Sequence, residues 1–293
     1  MNLSRTARFV ITSFVVALAV AAGWFAWLTY TNNPWTRDGR VRADVIEIAP
    51  DVSGEVAQVL VKDNQAVRKG DILFTIDPTR YRFALAQAEA ALSGREEERE
   101  QRRRELERRA RLSSAAITAE AREQAETAVA TAEAAYNEAS AALNTARLNL
   151  DRAGVRSPVN GYVTNLLVNP GDYATAGRAS LAVVDSDSFY VAGYFEETKI
   201  RNIREGDPVT IQLMGYPDEL RGHVESVARA IVDRETVQGT ADLIANVNPT
   251  FNWVRLAQRI PVRIGLDVVP ETVRLTAGMT ATVVVRDGER PRP

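Results

Sequence analysis

Two stretches of this chain repeat each other at one constant offset, and a long helix-forming segment stands between them. The first reads Pro50-Asp51-Val52-Ser53-Gly54-Glu55-Val56, runs on through Leu60-Val61 and closes at Lys69-Gly70-Asp71-Ile72-Leu73-Phe74. The second reads Ser157-Pro158-Val159-Asn160-Gly161-Tyr162-Val163, runs through Leu167-Val168 and closes at Ala176-Gly177 before Leu181. Val52, Gly54, Val56, Leu60, Val61 and Gly70 fall on Val159, Gly161, Val163, Leu167, Val168 and Gly177. Self-similarity of this kind fixes architecture before any local propensity does. It implies one small β-module split open by an insertion, an arrangement that spans distance and points away from catalysis.

The insertion carries the marks of a helical hairpin. Asp77-Pro78 supplies an N-cap acid followed by proline at the first helical position, a pairing that satisfies an orphan amide and presets φ. The first arm is expected from Thr79 to Leu112, with Ser113-Ser114-Ala115-Ala116 as the turn and Ser114 or Thr118 as the next cap. The second arm is expected to reach Ala153, with Gly154 as a left-handed C-cap. About 35 residues per arm at 1.5 Å each give on the order of 50 Å. Val129, Tyr136, Leu143 and Leu150 recur every heptad beside a row of Ala125, Ala132, Ala139, Ala146 and Ala153. That pattern is a coiled-coil seam, with alanine allowing close approach. Leu85, Leu92 and Leu106 keep the spacing in the first arm, and Arg99 interrupts it. From Arg95 to Arg111 nearly every residue is Arg or Glu. This reads as a solvated face with i,i+4 pairs, or as a surface for lateral salt bridges to neighbouring copies. No apolar surroundings shift these carboxylates toward acid–base work.

Ahead of the repeat, Phe9 to Asn33 holds no charged residue and Phe9 to Tyr30 is almost wholly apolar. A bilayer core needs roughly 20 such residues as helix. Trp24, Trp27 and Tyr30 gather at the C-terminal end, as interfacial rings do. Arg5 and Arg8 place the N-terminus in the cytoplasm, although Arg37 and Arg40 reduce the asymmetry. A cleaved signal peptide ending at Ala19-Val20-Ala21 is the rival; the apolar run passing that site favours a retained anchor. In either case the remainder leaves the cytoplasm.

After Asp185 the texture becomes short alternating strands: Phe189–Phe195, Val209–Leu213, Gly222–Val227, Ile260–Leu266 and Thr280–Arg286. Glu205-Gly206-Asp207-Pro208 and Gly215-Tyr216-Pro217-Asp218 are turns, and Glu196–Ile200 is a short helix. Strands at this spacing suit a small antiparallel barrel. The fold class expected is therefore mixed α+β and elongated. Composition excludes several functions. A net charge of −2 and a pI near 5.7 supply no basic field for nucleic acid. Without cysteine there is no disulfide, thiolate metal site or Cys nucleophile, and the single histidine, His223, cannot build a zinc site. No Gly-x-Ser-x-Gly or phosphate-binding loop occurs, so neither enzyme nor cofactor is expected. A biotinyl or lipoyl carrier would need its modified lysine on a short hairpin joining the half-motifs, and the helical insertion occupies that place.

This succession of anchor, half-motif, hairpin, half-motif and barrel resembles the HlyD/EmrA-like membrane fusion proteins, the periplasmic adaptors of Gram-negative tripartite efflux pumps. Pro50 to Gly54 with Gly70-Asp71, and Ser157 to Gly161 with Gly171-Asp172, look like that family's split lipoyl-like module. Gly54, Gly70, Gly161 and Gly177 stand at its expected turns. Ser188-Phe189-Tyr190-Val191 with Glu196-Glu197-Thr198-Lys199, and Asn252 to Ile264, resemble the subgroup serving p-hydroxybenzoic acid efflux; the second segment is also similar to multidrug adaptors. Packing of a helix onto a strand would explain the latter equally well. The resemblance implies the following layout: 1–8 in the cytoplasm, 9–30 transmembrane, 45–77 with 155–185 lipoyl-like, 78–154 the hairpin, 186–286 barrel and membrane-proximal region, 287–293 a disordered tail. It also implies an adaptor for aromatic carboxylic acids such as p-hydroxybenzoate, or alternatively an EmrA-like multidrug or a type I secretion adaptor. The partners implied are an inner-membrane transporter (aromatic-acid exporter or major-facilitator type), a TolC-like outer-membrane channel, and further copies in a ring, trimer or hexamer. Channel docking falls on the hairpin tip, where Arg108, Leu112, Ser113, Ser114, Ile117 and Thr118 stand.

Overall fold

The computed structural model describes residues 12–24, 34–111, 118–231, 257–270 and 272–286, which form two compact units, 1–44 with 188–293 and 45–187. Residues 12–24 are helical and exposed (α1). The rest of the expected membrane span lies outside the described residues, and among those described no helix is long and apolar enough to cross a membrane. Residues 1–8, the tail 287–293, and Leu112, Ser113, Ser114 and Ile117 also lie outside them.

The second unit is the split module. Its first half supplies β2 (Val45–Ile48), β3 (Gly54–Val59), β4 (Ala66–Val67) and β5 (Ile72–Ile76), and its second half β6 (Gly154–Arg156), β7 (Gly161–Thr164), β8 (Tyr173–Ala174) and β9 (Leu181–Asp185). One sheet is ordered β2-β9-β7-β4 and the other β6-β5-β3-β8. Exchanging equivalent strands of the two halves converts one order into the other, so the sequence repeat is an intertwined pseudo-two-fold. Loop hydrogen bonds obey it too. The Gly70 amide donates to the Ser157 carbonyl (2.8 Å) and the Gly177 amide to Pro50 (2.9 Å), while Val56 donates to Asp172 (2.8 Å) and Val163 to Gln65 (2.9 Å). Equivalent apolar positions fill one core: Val56 with Val163, Val61 with Val168, Phe74 with Leu181, Ile76 with Val183. Leu60 and Leu167 are both exposed.

Between the halves stand α2 (Thr79–Ala110) and α3 (Ala119–Asp151), each about 50 Å long at 1.5 Å per residue. The α2 entrance matches its expected chemistry: Pro78 already holds helical torsions (φ −78°, ψ −5°), and Asp77 Oδ1 accepts from the Thr79 amide (2.9 Å) and hydroxyl (2.6 Å). The α3 exit differs. The helix stops at Asp151, and Gly154, expected as a left-handed cap, opens β6 without positive φ. The reason is tertiary: Ala153 is buried in the sandwich, and its carbonyl accepts from the Ile76 amide (2.8 Å), which leads the chain straight into pairing with β5.

The first unit is a closed antiparallel barrel, β1-β10-β13-β12-β11-β14. Five strands lie where the alternation places them: β10 (Tyr190–Glu196), β11 (Pro208–Leu213), β12 (Glu219–Val227), β13 (Arg259–Val268) and β14 (Thr280–Val285), with α4 at Glu197–Ile200. The sixth, β1 (Trp35–Arg42), was assigned no element in the sequence. It closes the barrel between β14 and β10. Val41, Val191, Phe195, Ile211, Leu213, Ile264 and Val283 fill the interior.

Candidate functional site

The hairpin is held by a seam between its two arms. In α3 the buried residues are Ala125, Ala132, Leu143 and Ala146, with Val129, Tyr136, Ala139 and Leu150 half-buried between them. This alternation of three and four residues is the heptad stripe read from the sequence. Leu85, Leu92 and Leu106 answer it from α2, all half-buried. Arg99, at the heptad position where a leucine is missing, is drawn into the seam. Its guanidinium carbon lies 3.9 Å from the centroid of the Tyr136 ring, and a nitrogen lies 3.6 Å from Glu133 of α3. The interruption is thus an inter-arm contact combining cation–π and ion-pair attraction. Its elements were each visible in the sequence, but the pairing of Arg99 with Tyr136 required knowing the antiparallel register.

Around and beyond Arg99 most ion pairs run along α2 itself rather than between the arms. Arg95 pairs with Glu98 (2.8 Å), Arg104 with Glu100 (3.6 Å) and Arg109 with Glu105 (2.7 Å). These are exposed or half-exposed i,i+3 and i,i+4 pairs, each contributing a few tenths of a kcal/mol. Arg109 also reaches across to the Ala121 carbonyl (3.1 Å). Of the tip residues, Arg108 is exposed on the last turn of α2, its side chain 73 % accessible and paired with Glu105. Thr118 is the N-cap of α3, its hydroxyl accepting from the Ala121 amide at 3.2 Å. Thr118→Ala is expected to cost about 1 kcal/mol and to raise hydrogen exchange at the Ala121 amide, with exchange at Leu143 unchanged.

At the hairpin base two groups have displaced titration. The Thr79 hydroxyl and then its amide, with a smaller pull from Arg82, hold the Asp77 carboxyl below the ordinary carboxylate range. Its folded pKa is depressed, so this cap contributes above the unfolded value and is lost as pH falls through the folded one. Arg80 is raised, chiefly by its hydrogen bond to the Tyr81 hydroxyl.

The four glycines divide by role. Gly70 (φ +94°) and Gly177 (φ +78°) occupy left-handed turns. Gly54 and Gly161, expected at turns, lie instead in strands β3 and β7, where a Cβ would press on the Ile76 Cγ2 methyl and on the Val184 backbone carbonyl respectively. In the barrel, His223 Nδ1 lies 2.7 Å from Asp267 Oδ1, an exposed pair between β12 and β13. Among the described residues no group of three metal-ligating side chains gathers.

A sandwich made of two intertwined half-motifs, opened by a coiled-coil hairpin and followed by a six-stranded barrel, defines an adaptor rather than a catalyst: the chain belongs to the membrane fusion protein family of efflux-pump adaptors. Residues 44–186 match the barrel-sandwich hybrid domain of RND-type membrane fusion proteins, and residues 188–286 match the AAEA-like beta-barrel domain. Over 281 residues the chain is 44 % identical to the uncharacterized protein YdhJ of Escherichia coli K12, covering 96 % of this chain and 98 % of that one. Among solved structures, the membrane fusion protein Spr0693 of Streptococcus pneumoniae R6 superposes with a TM-score of 0.63 at 18 % identity, over 86 % of this chain and 98 % of that one. A MacA–MexA chimera carrying the Pseudomonas aeruginosa MexA α-hairpin gives 0.59 at 22 % identity, over 87 % and 84 %. These two likenesses concern the fold.

Proposed function

We propose that this chain is the periplasmic adaptor of a tripartite pump exporting aromatic carboxylic acids such as p-hydroxybenzoate. The observation that carries the substrate class is the match of residues 188–286 to the AAEA-like barrel, joined to a sandwich split by a hairpin. The charge-free apolar run over residues 9–30 anchors the chain in the inner membrane, with its N-terminus cytoplasmic and its bulk periplasmic. An inner-membrane transporter of the aromatic-acid exporter type supplies the energy, since the adaptor performs no chemistry. Copies of the adaptor associate in a ring, a trimer or hexamer. The hairpin tip, with Arg108, Leu112, Ser113, Ser114, Ile117 and Thr118, docks a TolC-like outer-membrane channel.

The test is complementation of cells that hold the transporter and channel but lack this chain, read as export of, and resistance to, p-hydroxybenzoate. The wild-type chain restores both. Arg108→Asp and Leu112→Asp abolish them, with expression and helicity unchanged, while Glu97→Ala on the exposed face of α2 retains them. Full resistance in both tip variants would remove the docking role. Undiminished export without the chain would remove the adaptor, and resistance confined to unrelated drugs would replace the substrate class.

A further inference from the structure

We infer that one end of the barrel lies on an anionic phospholipid surface, with Trp35 at the headgroup level and unpaired arginines around it. The inference rests on the membrane anchor of the reading above, and it names what the lipid itself contributes to holding the barrel.

Strand register gathers this end from segments far apart in the chain. Trp35 lies opposite Val284, Glu196 opposite Arg259 and Val227 opposite Val262. The Val285 amide donates to the Pro34 carbonyl (2.9 Å), Arg286 to Pro208 (2.9 Å), Ala228 to Pro261 (3.0 Å) and Glu197 to Gln258 (2.9 Å). The start of β1, α4 with the loop after it, and the ends of β12 and β14 therefore share one rim. Chain connectivity ties the same rim to the bilayer. Five peptide steps lead from Tyr30, at the end of the apolar run, to Trp35, a reach of at most about 18 Å when fully extended. A tether this short holds the rim beside headgroups at high effective concentration, so a weak attraction suffices.

Charge on the rim is uneven. Arg259 pairs with Asp38, and Lys199 with Glu196 (3.8 Å). Arg37, Arg201, Arg204, Arg229 and Arg286 are exposed and have no carboxylate partner among the described residues. Against them stand Glu197, Glu205 and the buried Asp207, whose carboxylate accepts from the Arg204 amide (2.8 Å). The described rim is thus net positive in a chain whose formal charge is −2. Trp35 stands among the cations, with the Arg37 guanidinium 5.5 Å and the Lys199 ammonium 5.2 Å from its ring centroid. An indole beside a membrane span settles at the headgroup level, and arginines around it then face lipid phosphate. Anionic lipid strengthens that attraction with each cation brought near the surface.

The chain has no cysteine, so a single fluorescent probe can be placed on the full-length protein. Thr198→Cys carries a bimane at an exposed position of α4, and Met214→Cys carries it after β11, at the opposite end of the barrel. The labelled chain is reconstituted into vesicles holding a lipid with a nitroxide quencher on its headgroup. The vesicles are made of phosphatidylcholine alone or with phosphatidylglycerol added. Phosphatidylglycerol is expected to raise quenching at Thr198→Cys about twofold or more, and to leave it unchanged at Met214→Cys. The rise disappears when ionic strength goes from about 0.1 to about 1 M, which shortens the screening length from about 10 Å to about 3 Å. Arg37→Glu combined with Arg201→Glu also removes it. The salt series leaves the rim unaltered, so a variant that fails to fold does not blunt the test. Quenching indifferent to phosphatidylglycerol or to salt, or seen only with the inner-membrane transporter present, would overturn the inference. If the chain withstands an alkaline carbonate wash while quenching ignores lipid charge, this surface falls and the anchor stands. If the wash releases the chain, the anchor falls and this surface with it.

Discussion

Leu143→Asp is expected to unfold the hairpin locally and to cost about 4 kcal/mol or more. Leu143 is 5 % exposed in the centre of the α3 seam. Truncating such a leucine alone costs roughly 2–5 kcal/mol through lost transfer energy and the cavity left behind. An aspartate puts a charge at a buried position facing α2, a burial that adds further cost. Far-UV circular dichroism should show a large part of the helical signal melting at a lower temperature, ahead of the β-units. Glu97→Ala, on the exposed face of α2, should stay within about 0.5 kcal/mol of wild type. Leu150→Asp should behave differently from Leu143→Asp, because Leu150 also packs against the sandwich core. If the Leu143 and Glu97 variants melt alike, the register of the arms is wrong.

Gly161→Ala is the second change with a large expected effect, and its pseudo-two-fold mate makes the control. A Cβ at Gly161 would stand 2.0 Å from the Val184 carbonyl oxygen and 2.9 Å from its carbon, both backbone atoms of the paired strand β9. Neither can rotate away, so β7 and β9 must separate. At Gly54 the Cβ would meet only the Ile76 Cγ2 methyl, at 2.6 Å. A methyl group can shift with a rotamer change, although Ile76 is fully buried. Overpacking of this kind costs about 1–3 kcal/mol. Gly54→Ala should fall within that range, and Gly161→Ala at or above its upper end. Chemical denaturation of the two variants gives the ranking, and the reverse order would show that the halves are not packed as described.

The repeat, the heptads and the alternating strands were legible because each imposes a period that side-chain type reveals without knowledge of partners. Val56 and Val163, or Leu143 and Ala146, announce their burial locally. Strand β1 gave no such signal. Arg37-Asp38-Gly39-Arg40 breaks the alternation at a register shift between Thr36 and Gly39, and only Val41 contributes an apolar side chain to the barrel core. Its place is fixed by hydrogen bonds to β10 and β14, distant in sequence. Gly154 was misread for a related reason. Glycine at a helix end ordinarily supplies positive φ, but here the buried Ala153 and its bond to Ile76 steer the exit. In the candidate site, Arg108 and Thr118 could be placed from local chemistry. The contact of Arg99 with Tyr136 depended on which residues face each other across the two arms.

The position of β1 bears on how the molecule is made. The sandwich and its hairpin are encoded in one continuous stretch, 45–187, and can fold as soon as that stretch has been synthesised. The barrel cannot. Its first strand is synthesised before the whole sandwich, and its neighbours β10 and β14 come after it. During that interval both hydrogen-bonding edges of Trp35–Arg42 remain open, and an open edge is a template for pairing with other chains. The charges that hid β1 from pattern reading, Arg37, Asp38, Arg40 and Arg42, are the kind of side chain that blunts such an edge. The same residues that make this strand hard to recognise keep it soluble while it waits for the last strand, Thr280–Val285, to close the barrel.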